Sequence, residues 1–293
     1  MGANSLIEWT ESTWNPVTGC TKISEGCVHC YAERLAHRLK AIGQRNYSNG
    51  FRVTLHPHTL NIPLEWKKSH RIFVNSMSDL FHDAIPLSFI QQVFDVMNKA
   101  YWHSFQILTK RADRLAEFAP YLQWAGNIWM GVTVESPLYL SRLEYLRSVP
   151  AAVRFLSLEP LLNPIHDIDL LNVDWVIVGG ESGPGARPMD ERWVIDVQQK
   201  CFKANVPFFF KQWSFQSVHS KYWQNRRSSV SSSKKPRANC RHAWRSTADC
   251  ASRMNHWLAC DSCWGGKPAW TRLGKTRGLR PSRSRRPSTA ESP

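Results

Sequence analysis

A chain of 293 residues with 42% hydrophobic residues can form one large α/β barrel domain or two ordinary domains, so a globular protein is expected. No run approaches the roughly 18 uninterrupted apolar residues that a membrane span requires, and the polar, acidic N-terminus lacks the basic and apolar blocks of a signal peptide, which together imply a cytoplasmic protein without a membrane partner. The net charge of +15 suggests nucleic acid, but residues 1–213 hold 21 Lys and Arg against 20 Asp and Glu, whereas residues 214–293 hold 17 against 3.

Trp9 and Trp14 open the chain and read as core-filling aromatics rather than a stacking platform for bases. After them come three closely spaced cysteines, Cys20, Cys27 and Cys30, which in a reducing compartment are metal ligands or redox groups before they are disulfides. Leu35, Leu39 and Ile42 then carry helical spacing, and Phe51–Leu55 reads as a strand. Ile72–Asn75 is the next strand and is followed by the polar group Asn75, Ser76, Ser78 and Asp79. Pro86 stands where a first helical turn would begin, ahead of Phe89, Val93 and Met97.

The alternation continues. Phe105–Thr109 leads into Lys110 and Arg111, and Ile128–Val134 leads into Glu135, with Pro137 opening a helix that carries Tyr139, Leu143 and Leu146. Val153–Leu158 ends at Glu159, and Trp175–Val178 ends at Gly179, Gly180, Glu181 and Ser182. Two further segments close the series: a helix with Trp193, Val197 and Cys201, and the strand Val206–Phe210 before Lys211 and Gln212.

Most of these strands are continuously apolar, as strands covered on both faces must be. The expected fold is therefore α/β, a partial or complete parallel (β/α) barrel over residues 1–213, whose catalytic face collects the polar residues that follow each strand. Asp79 and Ser78 serve equally well as caps of the next segment. Lys110 and Arg111 suit phosphate or carboxylate, or simple solvation. Glu135 and Glu159 suit acid–base work or ligand binding.

Residues 214–293 depart from this pattern. Only seven of them are Leu, Ile, Val, Phe or Met, too few to offset chain entropy, so a basic disordered tail is expected. Its dispersed Trp and Cys residues suggest out-of-frame translation. Cys240, Cys250, Cys260 and Cys263 have the composition of a zinc module but irregular spacing.

The segment from Gly19 to Glu33 has a Cys-x6-Cys-x2-Cys pattern. Gly19 and Gly26 let the loop fold Cys20 toward Cys27 and Cys30, and thiolates are soft ligands suited to iron–sulfur clusters or zinc. Zinc needs a fourth ligand, for which His29 is awkwardly placed, and buried free thiols are the third alternative. Three thiolates on a [4Fe-4S] cluster leave one iron open to an exchangeable ligand.

At these residues the chain resembles a phage and prophage three-cysteine family of unknown function, itself distantly similar to radical S-adenosylmethionine (SAM) proteins of the spore photoproduct lyase kind. The resemblance covers roughly residues 5–213. It rests on Trp9–Pro16, Gly19–Ala32, Asn75–Asp79, Leu108–Arg111, Gly131–Glu135, Leu158–Pro160, Gly179–Gly183 and Phe210–Trp213. It implies a [4Fe-4S] cluster on Cys20, Cys27 and Cys30 whose open iron chelates SAM. A reductant then supplies one electron, and the sulfonium breaks to a 5′-deoxyadenosyl radical. Within the resemblance Gly179, Gly180 and Glu181, with Asn75 and Ser76, are the SAM-binding residues. The substrate is not readable; nucleic acid is one class. The rival readings are a non-enzymatic metal-bearing interaction protein and a nucleic-acid-binding protein acting through the basic tail.

Overall fold

The computed structural model describes residue 5 and residues 7–214. The expected tail lies outside the described residues except for Ser214, and so do Cys240, Cys250, Cys260 and Cys263.

Nine short strands form along the described chain: β1 (Ser12–Trp14), β2 (Val17–Thr18), β3 (Thr54–Leu55), β4 (Arg71–Val74), β5 (Ser104–Thr109), β6 (Ile128–Thr133), β7 (Val153–Leu158), β8 (Trp175–Gly179) and β9 (Phe208–Gln212). Seven of them make one sheet in the order β1-β4-β5-β6-β7-β8-β9, and every pair in it is parallel. The sheet has two edges, β1 and β9, so the fold is a partial parallel β/α barrel. Among the described residues no helix is long and apolar enough to cross a membrane.

The main connecting helices are α3 (Leu87–Lys99), α4 (Ala112–Phe118), α5 (Ser141–Arg147) and α6 (Glu191–Lys203). They cover the outer face because their apolar residues recur at helical spacing: Phe89, Ile90, Val93, Phe94 and Met97 of α3 are all buried. Pro86 stands at the N-cap of α3 rather than inside it, and Pro137 opens a short 3₁₀ turn, Pro137–Tyr139, before α5. In both places a missing N–H costs little because the first turn leaves it unpaired.

The inner face is aromatic. Trp9 packs on Phe73 with ring centroids 4.6 Å apart and on Trp175 at 6.2 Å, and Phe155 meets Trp175 at 5.7 Å. Phe155 also occupies the space over Gly131, where a Cβ would lie 2.5 Å from its ring. Their rings pack together inside the barrel, and Trp9 and Phe73 also line a cavity that opens toward the strand C-termini. That agrees with the reading of Trp9 as core.

Two sequence expectations need correction. Phe51–Leu55 is not a strand of the parallel sheet; only Thr54–Leu55 is extended, and it pairs antiparallel with β2. The place at the sheet edge is taken by β1, whose three residues are too short to show a period. The helix α1 (Tyr31–Ala41) turns Leu35 outward (38% exposed) and is followed by Ile42 (72% exposed). It packs through Ala32 and Ala36 against Met77, and of the expected face only Leu39 joins that contact. Small side chains let α1 lie close to the loop after β4, which an apolar stripe of leucines would not allow. The remaining helix, α2 (Ile62–Glu65), is a single turn.

Candidate functional site

A cavity of about 380 Å³ opens at the C-terminal ends of the strands, and Cys20, Cys27 and Cys30 all line it. So do Asn75, Ser76, Ser78 and Asp79 after β4, Lys110 and Arg111 after β5, Glu159 after β7, Gly180, Glu181 and Ser182 after β8, and Lys211 and Gln212 at the end of β9. The parallel sheet causes this convergence, because every strand delivers its following residues to the same end. Two expected residues stand elsewhere. Gly179 is the last residue of β8, where a Cβ would lie 3.0 Å from Glu159 Oε1. Glu135 is completely buried beneath the cysteine loop.

That loop is fastened at both ends by ions. Arg111 donates to Thr21 O (3.2 Å), to Thr21 Oγ1 (2.9 Å) and to Cys20 Sγ (3.5 Å), while its own charge is matched by Asp79 Oδ2 at 3.2 Å. Asp79 in turn accepts from the Phe81 N–H at 3.0 Å, from Thr109 Oγ1 at 2.7 Å and from the Lys110 N–H at 3.1 Å. It therefore caps its own turn and anchors Arg111 together. On the other side Glu135 accepts from Ser24 Oγ, and from Arg142 at 2.7 Å. Tyr139 Oη accepts from the Glu25 N–H at 3.3 Å, and Arg187 donates to Glu25 O at 2.9 Å.

The Cys20 and Cys27 thiols differ electrostatically. Burial pushes the Cys20 thiol up to about 11, and the Asp79 carboxylate adds to this against the opposing pull of Arg111. Burial acts upward on Cys27 as well, but the Lys110 ammonium and hydrogen bonds from the backbone of Ile23 and from Ser24 outweigh it and leave this thiol below its ordinary range. Cations thus stand beside two of the three sulfurs, Arg111 at Cys20 and Lys110 at Cys27.

Among the described residues no three Cys, His, Asp or Glu side chains surround one point closely enough to hold a single metal ion. A cluster makes a different demand, since each thiolate binds its own iron. Three soft donors lining one wall beside Lys110 and Arg111 fit that demand by their chemistry. His29, between Cys27 and Cys30 in sequence, directs Nδ1 to Glu181 Oε2 at 3.1 Å.

Glu181 is already well bonded. Its carboxylate takes Arg187 NH2 at 2.6 Å, Arg187 Nε at 3.1 Å, the Arg187 N–H at 2.8 Å and His29. Burial acts upward on it, but these bonds hold it below the usual carboxylate range. Gly180 is required by chain packing, because a Cβ there would lie 2.2 Å from the Ser214 nitrogen. Asn75 differs: it is 2% exposed, has φ +58°, and its Nδ2 is buried without a hydrogen-bond partner. Trp9 Nε1 is a second such donor on the cavity lining. Both suit a ligand that brings acceptors.

Sequence reasoning missed Arg142, Tyr139 and Arg187. Each lies on a segment following a strand-end carboxylate, and a search for the cation matching each buried glutamate would have found the two arginines.

Gly19 supplies a direct test of the loop. Its φ is +84°, and a Cβ there would lie 2.3 Å from the Arg52 carbonyl oxygen. Gly19→Ala is expected to cost about 2–4 kcal/mol, from left-handed strain plus backbone displacement, read as a lower midpoint in denaturant unfolding of the full chain. An unchanged midpoint would show that the loop moves freely.

Over residues 4–246 the chain matches a family model described as Protein of unknown function (DUF5131). No curated protein matches it significantly. Among solved structures, it is similar to a spore photoproduct lyase mutant with bound AdoMet and dinucleoside spore photoproduct, at 11% identity over 65% of this chain and 61% of that one, with a TM-score of 0.36. It is also similar to spore photoproduct lyase complexed with dinucleoside spore photoproduct, at 13% identity over 64% of this chain and 59% of that one, again with a TM-score of 0.36. The chain thus spans about three fifths of the length of these structures.

Proposed function

The chain belongs to the DUF5131 family, and we propose that it is an iron–sulfur protein that uses SAM, with Cys20, Cys27 and Cys30 as the cluster ligands. The observation that carries this reading is that all three cysteines line the one cavity at the strand C-termini, flanked by Lys110 and Arg111. Held by three thiolates, a [4Fe-4S] cluster supplies an open iron and an electron for a bound sulfonium, drawn from an external reductant.

The chain's own groups then have definable tasks. Asn75 Nδ2 and Trp9 Nε1 donate to acceptors on the bound molecule, and Ser76, held by Asn15 Oδ1 at 3.2 Å, presents its hydroxyl at the same wall. Trp9 and Phe73 close the floor against water. Gly180 allows the chain after β8 to pass close, while Glu181 holds His29 and Arg187 and so shapes the rim. Lys211 and Glu159, paired at 2.8 Å, close the far side.

The test is anaerobic purification with iron, sulfide and electron paramagnetic resonance measurements, then addition of SAM to the reduced protein. Iron and sulfide in near-equal amounts, a spectrum altered by SAM and release of 5′-deoxyadenosine are expected. A cluster that leaves SAM intact and its own spectrum unmoved would make this a non-enzymatic metal-bearing protein. Iron-free protein, or one that holds only zinc, would end the cluster reading.

A further inference from the structure

A second cavity, of about 560 Å³, lies on the other side of the cysteine loop and shares Cys20 and Phe51 with the first. Its lining includes His37 and Lys40 of α1, Arg52 of the following loop, and Glu33. Glu33 is matched by Lys22 at 2.9 Å, which leaves the cavity no free acid. His82 also lines it, but its ring is engaged with Thr21 Oγ1 at 2.8 Å and with the Ala84 N–H at 3.0 Å. Lys40 and Arg52 have no ion-pair partner within 4 Å among the described residues.

The charge distribution makes this more than a solvated face. Residues 31–52 hold five Lys and Arg against one Asp or Glu, whereas residues 1–213 as a whole are nearly balanced at 21 against 20. Of those five, Lys40 and Arg52 line the cavity, whereas Arg34 turns to the carbonyls of Ser182 and Pro184. Lys40 and Arg52 are exposed, so water screens their mutual repulsion, and an anion entering the cavity between them meets two positive charges and no competing free carboxylate.

We propose that this cavity binds a phosphoryl group of the substrate, with Lys40 and Arg52 as its charged donors and His37 beside them. The cavity adjoins the cysteine cavity at Cys20, so a molecule anchored here extends over the loop toward the sulfurs. The assignment names a feature of the substrate and rests on the reading above for its catalytic meaning, while the binding itself needs no cluster. Arg carries the planar fork that suits phosphate, and Lys adds a point charge.

The experiment measures fluorescence anisotropy of a labelled nucleoside 5′-monophosphate titrated with the full chain, on preparations whose iron content is known. The Lys40→Glu/Arg52→Glu variant is expected to bind about tenfold or more weakly. Lys67→Glu/Lys68→Glu changes net charge equally at two exposed positions outside the cavity and is expected to bind as the parent does. Inorganic phosphate as competitor shows capture of the phosphoryl group alone, and displacement by an unlabelled single-stranded oligonucleotide at lower concentration assigns a strand as its source. Equal weakening in both variants, or in neither, overturns the proposal. Absent phosphate binding with normal iron sinks this inference alone; absent iron with selective phosphate binding sinks the cluster reading alone.

Discussion

Asp79→Ala is expected to destabilise the chain by about 3–5 kcal/mol, because it leaves a buried guanidinium without its counter-charge. Arg111 and Asp79 are both buried, with side chains 5% and 9% exposed. Three further donors, the Phe81 and Lys110 N–H groups and Thr109 Oγ1, lose their acceptor at the same time. The loss falls on three segments together: the turn after β4, the end of β5 and the cysteine loop. Denaturant unfolding of parent and variant measures it, and the double variant Asp79→Ala/Arg111→Met separates ion pairing from packing. Recovery of a large part of the stability in the double variant is expected, since it removes the orphaned charge along with its partner. A single variant within about 0.5 kcal/mol of the parent would mean that Asp79 anchors nothing.

The same network explains how far the sequence could be read. The inner strands were legible because they are apolar on both faces, and the polar residues after them were legible as a site because parallel strands all end on one side. Asn75, Asp79, Lys110, Arg111, Glu159 and Glu181 were found that way. Their mutual chemistry was not. Arg111 reads from sequence as a cation for phosphate or carboxylate, or as a solvated one, yet it is 5% exposed and pinned between Asp79 and Thr21. Glu135 reads as a strand-end acid available to a ligand, yet Arg142 and Ser24 hold it beneath the loop. The pairings of Arg111 with Asp79 and of Ser24 with Glu135 join distant segments and leave no local pattern. Nor does the orientation of α1, where Ala32 and Ala36 are the buried residues, Leu39 packs beside them and Leu35 stays outside.

The largest chemical effect belongs to the cysteines. Substitution of Cys20, Cys27 and Cys30 together by serine is expected to abolish bound iron and sulfide, since an alcohol does not replace a soft thiolate at such a site. Single substitutions are expected to lower iron content and alter the spectrum without removing all absorbance, because two thiolates remain. Stability should change little in these variants: all three residues are only partly buried, and the loop is held by Arg111, Glu135, Tyr139 and Arg187. Cys201 is the internal control. It is fully buried in α6, and burial pushes its thiol up to about 12; Cys201→Ser should leave iron unchanged. A further control replaces Cys240, Cys250, Cys260 and Cys263, and it too should retain iron. Iron and sulfide preserved in the triple variant, or lost in either control, would move the metal away from this cavity, and Lys110 and Arg111 would then serve only to position a loop.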